Sequence, residues 1–326
     1  MHDPLDSPLA AVFAGRTMAI SRQRLACALE LAEARRRFAA SHAAAFPVLA
    51  AADGAQGRQR FPPPRPVSTV DASGVCKIAF CGMLTHGVEA FTRWWFGALE
   101  VDDVAEAVAR AAEDPRVKAV LLSINSPGGM VQGVPEAAEA VAAAAEKKPV
   151  VAWTGSVCAS AAYWLAAPAD AIYCRKTADV GSVGCYALHV DLSRAMAAAG
   201  IAVDVFKSGA NKAAGVEGTA LTDSQKEMAQ AAVEKIGAAF RGFVQLHRPG
   251  VAEEVLDGRA VDGDVAVAVG LADDLASDSG FAALTVDGKS FIYSAPSDAA
   301  LSVSVSVSPL STPASCCPPN TPNTST

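Results

Sequence analysis

Three short segments of this chain carry nucleophilic, basic and backbone-donor groups in an order that acyl-transfer chemistry could use. The first is Asn125-Ser126-Pro127-Gly128-Gly129, read as a turn from a strand into a helix. Paired glycines at such a turn let backbone N–H groups face a cleft and hold a developing oxyanion, although an ordinary tight turn uses the same residues. The second is Cys158-Ala159-Ser160-Ala161-Ala162-Tyr163-Trp164. A serine opening a helix among small residues is sterically accessible to a carbonyl carbon. The N–H of Ala161 would pair with a glycine of the first loop as an oxyanion donor. Ser160 as a simple helix cap is the competing reading, and Ser156 and Cys158 are rival nucleophiles on the same turn. The third segment is Lys207-Ser208-Gly209-Ala210-Asn211-Lys212-Ala213-Ala214-Gly215. A lysine acts as a general base only where desolvation or a neighbouring cation brings its amine toward neutrality, and small neighbours permit that burial. A solvated loop lysine is the plain alternative for either residue.

The elements between these segments predict how they are positioned. Residues 76–81, 117–124, 149–153, 171–174, 185–190 and 202–206 read as strands. Helices are expected over 101–113, 132–146, 159–167 and 192–199. Acidic Glu100, Asp102 and Asp103 suit the positive end of the first of these helices. Thr222, with Gln225 at the capping-box position, opens a long helix reaching about His247. Strand-helix alternation of this kind predicts an α/β domain with a largely parallel sheet flanked by helices, its reactive loops at the carboxyl ends of the strands.

Composition sets outer limits. The 326 residues carry 27 Lys+Arg against 34 Asp+Glu, a formal net charge of −7. An acidic balance without a long basic run argues against a nucleic-acid-binding protein. The eight cysteines show no zinc-knuckle spacing, the five histidines form no ligand pattern, and no cofactor or metal is expected. The first residues, Met1-His2-Asp3-Pro4, lack the basic flank and apolar block of a signal peptide. The nearly uncharged stretch 149–169 contains Thr154, Gly155, Ser156 and Ser160, and reads as a buried strand-turn-helix rather than a membrane span. The expectation is a soluble, cytoplasmic protein that does not engage a membrane. Along the chain, residues 1–52 read as a helical leader and 53–74 as a Pro/Gly-rich linker. A catalytic domain follows over 75–280, and 281–326 reads as a low-complexity, disordered tail.

Taken in order, the Gly-Gly loop, the serine among small residues and the glycine-flanked lysine resemble the serine–lysine peptidases related to signal peptide peptidase A. They are closer still to the phage branch of that family, the capsid-assembly or head-maturation proteases of the protein C type. The likeness covers residues 75–274. It implies a Clp/crotonase-like fold with Ser160 as nucleophile, in Ala159-Ser160-Ala161-Ala162-Tyr163. Lys212 is then the base, and Ser182 of Gly181-Ser182-Val183-Gly184 orients it. Gly128, Gly129 and Ala161 form the oxyanion hole. The later signature Gly258-Arg259…Gly263…Ala266…Gly270-Leu271…Asp273 is also present. Membrane-bound members carry an N-terminal anchor that this sequence lacks, and the segment after Gly280 is too short and polar for a full helical scaffold.

The resemblance further implies a ring-like homo-oligomer and protein substrates such as phage capsid, scaffold or portal proteins, with leader and tail as candidates for self-cleavage. Ser160 and Lys212 can then meet within one subunit or across an interface. Three alternatives stay open. One is a Clp-type Ser-His-Asp peptidase using His189 and Asp191. The others are a crotonase-like acyl-CoA enzyme, and an inactive scaffold whose protease core only mediates assembly.

Overall fold

A computed structural model of the chain describes residues 18–20, 63–275, 282–286, 289–294 and 302–306. Apart from 18–20, the helical leader expected over 1–52 lies outside the described residues, as do residues 53–62 of the linker.

The framework is a six-stranded sheet flanked by helices, with apolar runs buried in its central strands. In chain order β1 is Met18–Ile20, β2 Val67–Val70, β3 Val75–Cys81, β4 Leu84–Thr85, β5 Leu99–Glu100, β6 Ala119–Asn125 and β7 Gly128–Met130. They are followed by β8 Val150–Thr154, β9 Val157–Ala159, β10 Ala171–Cys174, β11 Asp179–Gly181, β12 Ala260–Asp262 and β13 Asp274–Leu275. The main sheet runs β13-β10-β8-β6-β3-β2, parallel throughout except for β2, which pairs antiparallel with β3. In β6, Ala119 to Leu122 and Ile124 are all buried, as a strand covered on both faces requires.

The helices obey the same bookkeeping of apolar positions. Helix α1 is Ala90–Phe96, α2 Val101–Glu113 and α3 Val134–Ala145. On α2, Val101, Val104, Val108 and Ala111 are buried at helical spacing, with Asp102 and Asp103 in the first turn. On α3 the buried stripe is Val134, Ala137, Ala138, Val141 and Ala144. Small alanine faces let α2 and α3 pack closely against each other. Helix α4, Ala161–Ala166, is buried at every position, and Trp164 stacks on Phe240 with ring centroids 4.2 Å apart and planes 3° from parallel. Phe240 belongs to α6, Asp223–His247, whose Thr222–Gln225 capping box forms as expected. Short helices α5, Ser193–Ala198, and α7, Gly263–Ala268, complete the set.

One expectation is corrected. Residues 185–190 and 202–206 do not form strands but run irregularly and largely exposed, with Val190 42% and Phe206 97% exposed. Alternating apolar residues make a strand only where a partner backbone accepts a continuous ladder, and among the described residues these segments form no more than a single bridge, at Tyr186. The segment expected as a low-complexity tail includes three strands among the described residues. Within it, β14 Ala282–Val286, β15 Lys289–Ser294 and β16 Ser302–Ser306 pair as an antiparallel sheet. The Ser/Val alternation of β16 has the two-residue period of a strand, which composition alone does not register. None of the helices among the described residues is long and apolar enough to cross a membrane.

Candidate active site

Ser160 sits where β9 turns into α4. Strand β9 pairs in parallel with β11, Ala159 opposite Gly181, so the shared register carries Ser160 and Ser182 off the sheet side by side. The Ser160 N–H donates to the Gly181 carbonyl at 2.7 Å, and the Ser182 N–H donates to the Arg259 carbonyl at 2.8 Å. Both serines have left-handed backbones, Ser160 at φ 57° and Ser182 at φ 54°. Among the described residues the other non-glycine residue with positive φ is Ala213, at 65°, directly after Lys212. Such conformations cost on the order of 1–3 kcal/mol each and persist only where the surroundings impose them.

The hydroxyl of Ser160 is not spent on the helix. Ser160 occupies the cap position of α4, yet its side chain makes no capping hydrogen bond. Its Oγ donates instead to the Gly184 carbonyl at 3.5 Å, within the turn that holds Ser182. Both serines are buried, Ser160 at 1% and Ser182 at 7% exposure. The rivals on the same turn are placed differently. Cys158 is buried, and burial pushes its thiol well above the usual range, which withholds the thiolate. Ser156 is exposed, and its carbonyl accepts from the Asp179 N–H.

Lys212 lies on the irregular arm between Cys185 and Thr222. Its side chain is exposed and has no hydrogen-bond or ion-pair partner among the described residues. The Lys207 Nζ donates to the Ala210 carbonyl at 2.9 Å. No hydrogen bond joins Ser160 to Lys212 within the single chain, nor Lys212 to Ser182. The histidine alternative is no better connected. His189 Nε2 is buried without a partner, and hydrogen bonds from the Ser193 hydroxyl and the Ser193 N–H hold the Asp191 carboxyl below its usual range.

The glycine loop follows the carboxyl end of β6, as α/β topology expects. Ser126 is buried and joins β9 through a parallel bridge to Cys158; its Oγ accepts from the Gly128 N–H at 3.2 Å. Gly128 needs its φ of +94°. Gly129 answers to a different constraint, because a Cβ there would lie 1.8 Å from the Leu84 carbonyl oxygen across the β4–β7 pairing. Ala161, as the first residue of α4, has an N–H with no intrahelical acceptor.

The signature after residue 257 has a structural account. Arg259 closes the Ser182 turn through its carbonyl, and a Cβ on Gly263 would meet the Arg175 carbonyl oxygen at 2.0 Å. Tyr163 Oη donates to the Leu271 carbonyl at 2.8 Å, tying the serine helix to the Gly270-Leu271 turn. The Asp273 carboxylate accepts from the Ile172 N–H at 2.7 Å and pairs with Arg248, also at 2.7 Å. Sequence reasoning assigned no role to Ser126 or Arg248. Ser126 was visible inside the quoted loop, whereas nothing local marks Arg248 as the partner of Asp273.

Removal of the Tyr163 hydroxyl tests that tie. Tyr163→Phe leaves the Leu271 carbonyl buried and unpaired, a loss of about 1–3 kcal/mol. For a body of this size the melting temperature should fall by roughly 2–10 °C. Unchanged melting in calorimetry would show that the bond contributes nothing.

One group of metal-ligating side chains occurs among the described residues, His86, Glu100 and Asp102, with candidate ligand atoms within 4.8 Å of one another. Glu100 already accepts from the Gly87 N–H and faces Arg93 at 3.4 Å, so the group reads as a surface ion-pair cluster at the start of α2.

Residues 142–283 match the model of Peptidase family S49. That window contains Ser160, Ser182 and Lys212, but not Gly128 and Gly129. Capsid assembly protease C of Escherichia phage lambda is 28% identical over 205 residues, covering 62% of this chain and 46% of the relative. Protease 4 of Salmonella typhi is 30% identical over 214 residues, 63% of this chain and 33% of the relative. This chain thus spans half or less of the length of these relatives. Among solved structures, a variant of ClpP1 from Listeria monocytogenes aligns over 61% of this chain and 90% of its own, at 11% identity and a TM-score of 0.37. A likeness of that degree carries no argument about chemistry. Residues 142–283 are thus similar to Peptidase family S49, and the chain's relatives include both Protease 4 and the phage capsid assembly protease.

Proposed function

We propose that this chain is a serine endopeptidase that works through a Ser160–Lys212 dyad. The observation that carries the reading is the pair of buried serines with left-handed backbones, brought abreast by the Ala159–Gly181 register. A strained, buried serine that neither caps its helix nor packs as a core residue is what a positioned nucleophile requires. In the reaction, neutral Lys212 takes the proton of Ser160 as Oγ attacks the peptide carbonyl carbon. Backbone N–H groups of Gly129 and Ala161, with Gly128 shaping the loop, hold the oxyanion. One such donor is typically worth about 3 kcal/mol. The C–N bond breaks as Lys212 returns the proton to the leaving amine. Water then hydrolyses the ester with the same amine as base. Ser182 positions the lysine.

An exposed Lys212 in the single chain fits this reading if the arm is covered in the working assembly. That arm also exposes Leu188, Val190, Ile201, Val203, Val205 and Phe206. A second copy burying this row would desolvate the amine and favour its neutral form. The proposed state is therefore a homo-oligomer in which base and nucleophile meet across an interface. The proposed substrates are phage or prophage head proteins, scaffold or portal among them, and the chain itself. The proposed place of action is the bacterial cytoplasm or the prohead.

A serine-directed fluorophosphonate tests the nucleophile directly. One adduct per chain, mapped to Ser160 by peptide mass spectrometry and absent from Ser160→Ala, is expected. No adduct on any serine would favour the acyl-CoA or inactive-scaffold alternatives. Adduct formation abolished by His189→Ala and kept in Lys212→Ala would favour the histidine triad.

A further inference from the structure

The short strand β1 pairs antiparallel with β7, Met18 opposite Met130, Ala19 opposite Gly129 and Ile20 opposite Gly128. On its other side β7 is already paired, in parallel, with β4. Without β1, the edge of β7 would be an open row of backbone donors and acceptors, the kind that binds an extended peptide by strand addition. Helix α4, which begins immediately after Ser160, packs on this same β7. The edge that the chain's own leader occupies is therefore the edge beside the proposed nucleophile.

The direction of β1 matters as much as its place. Gly128 lies two residues after Ser126, Ser126 bridges Cys158, and the Ala159 N–H donates to the Ser126 carbonyl at 3.2 Å. The Gly128 end of β7 is thus the end joined to the Ser160 turn. An antiparallel strand brings its carboxyl-terminal end there, and in β1 that end is Ile20. The part of the leader brought toward the Ser160 turn is therefore the carboxyl end of the run Met18-Ala19-Ile20, at Ile20.

We propose that Met18–Ile20 is a built-in occupant of the substrate strand position, so that the leader is the first substrate and closes the groove to others until it is cut or displaced. This rests on the serine-peptidase reading of the same site. In the step itself, Ser160 Oγ bonds to the carbonyl carbon of a residue in 19–21. The C–N bond to the next residue breaks, and the leaving amine takes a proton. Water then releases the new carboxylate. The leader strand, having lost its continuation, can leave the β7 edge, and an extended peptide from another protein can take its place.

Amide hydrogen exchange separates the occupant from the chemistry. Ser160→Ala holds the leader uncut, and Ala19→Pro removes the central N–H of β1 and its ladder geometry. Exchange of the 128–130 amides should be at least tenfold faster in the Ser160→Ala, Ala19→Pro double variant than in Ser160→Ala alone. Equal exchange overturns the proposal whatever the enzyme does. With native Ser160, the expected new amino terminus is Ile20, Ser21 or Arg22, formed at a rate independent of protein concentration once the homo-oligomer is assembled. In the otherwise native chain, Ala19→Pro should abolish this cut and remove the lag in hydrolysis of an added casein-derived peptide. An unchanged lag, or a cut elsewhere only, also overturns it. If no variant hydrolyses peptide or forms a phosphonate adduct, the serine-peptidase reading itself fails, and the exchange difference still reports whether the strand is seated.

Discussion

Ser160→Ala is expected to lower turnover of any peptide this chain hydrolyses by about 10⁴-fold or more, with the circular dichroism and melting curve of the parent. Lys212→Ala should lose nearly as much, and the double variant should fall little further than either alone. Nucleophile and base act as a unit, so deleting the second member removes nothing that still works. Each tenfold loss corresponds to about 1.4 kcal/mol of transition-state stabilisation, so the single variants forfeit roughly 5 kcal/mol or more. The side chain of Ser160 makes one long contact, to the Gly184 carbonyl at 3.5 Å, and so its removal should spare the fold. Lys212 has no side-chain partner in the single chain, so the same holds there. Steady-state hydrolysis of a fluorogenic peptide decides the matter. Full activity in Lys212→Ala with a dead Ser160→Ala would remove the lysine from the mechanism and leave the serine in place.

Gly129→Ala should be the most damaging single-methyl addition in the glycine loop. The added Cβ would stand 1.8 Å from the Leu84 carbonyl oxygen, 2.6 Å from its carbon and 2.7 Å from the Leu84 nitrogen. All three are backbone atoms, so no rotamer change relieves the clash and β4 must separate from β7. Overpacking of this kind costs about 3 kcal/mol or more, or roughly 6–12 °C in melting temperature for a body of this size. The same displacement would move the Gly129 N–H away from its proposed oxyanion position, and a lost donor of that kind lowers kcat by about 10²–10³-fold. Calorimetry and peptide turnover on one preparation test both halves. Parent-like melting with parent-like turnover would mean that β4 and β7 are not held together as described.

Gly128 and Gly129 illustrate how adjacent residues of one type answer to different demands. At Gly128 the backbone must turn through φ +94°, which any side chain resists. At Gly129 the obstacle is a neighbouring strand more than forty residues earlier in the chain. The first reason is local and could be guessed from a Pro-Gly-Gly turn. The second exists only once β4 is placed.

Local order was legible in the residues themselves. The apolar spacing of 101–113 matched a helix with the same bounds, and Thr222 with Gln225 formed the expected capping box. The strand expected over 171–174 is β10. Each of these depends on interactions within a few residues, which short-range periodicity records. The order of Gly-Gly loop, small-residue serine and glycine-flanked lysine was likewise readable along the chain, and pointed to the family that residues 142–283 match.

What tertiary structure decided was every relation between segments distant in sequence. The alternation in 185–190 and 202–206 looks like strand, yet among the described residues it forms no ladder beyond one bridge at Tyr186, and the segments stay irregular and largely exposed. The pairing of Ala159 with Gly181 set Ser160 abreast of Ser182, and nothing in either motif specifies that register. The seating of Met18–Ile20 on β7 joined two segments more than a hundred residues apart. Residue type and spacing thus determined which groups could do chemistry and the local elements that carry them. Register, exposure and the company each group keeps were settled by strand pairing and packing, because those energies depend on which backbones meet and not on the residues next along the chain.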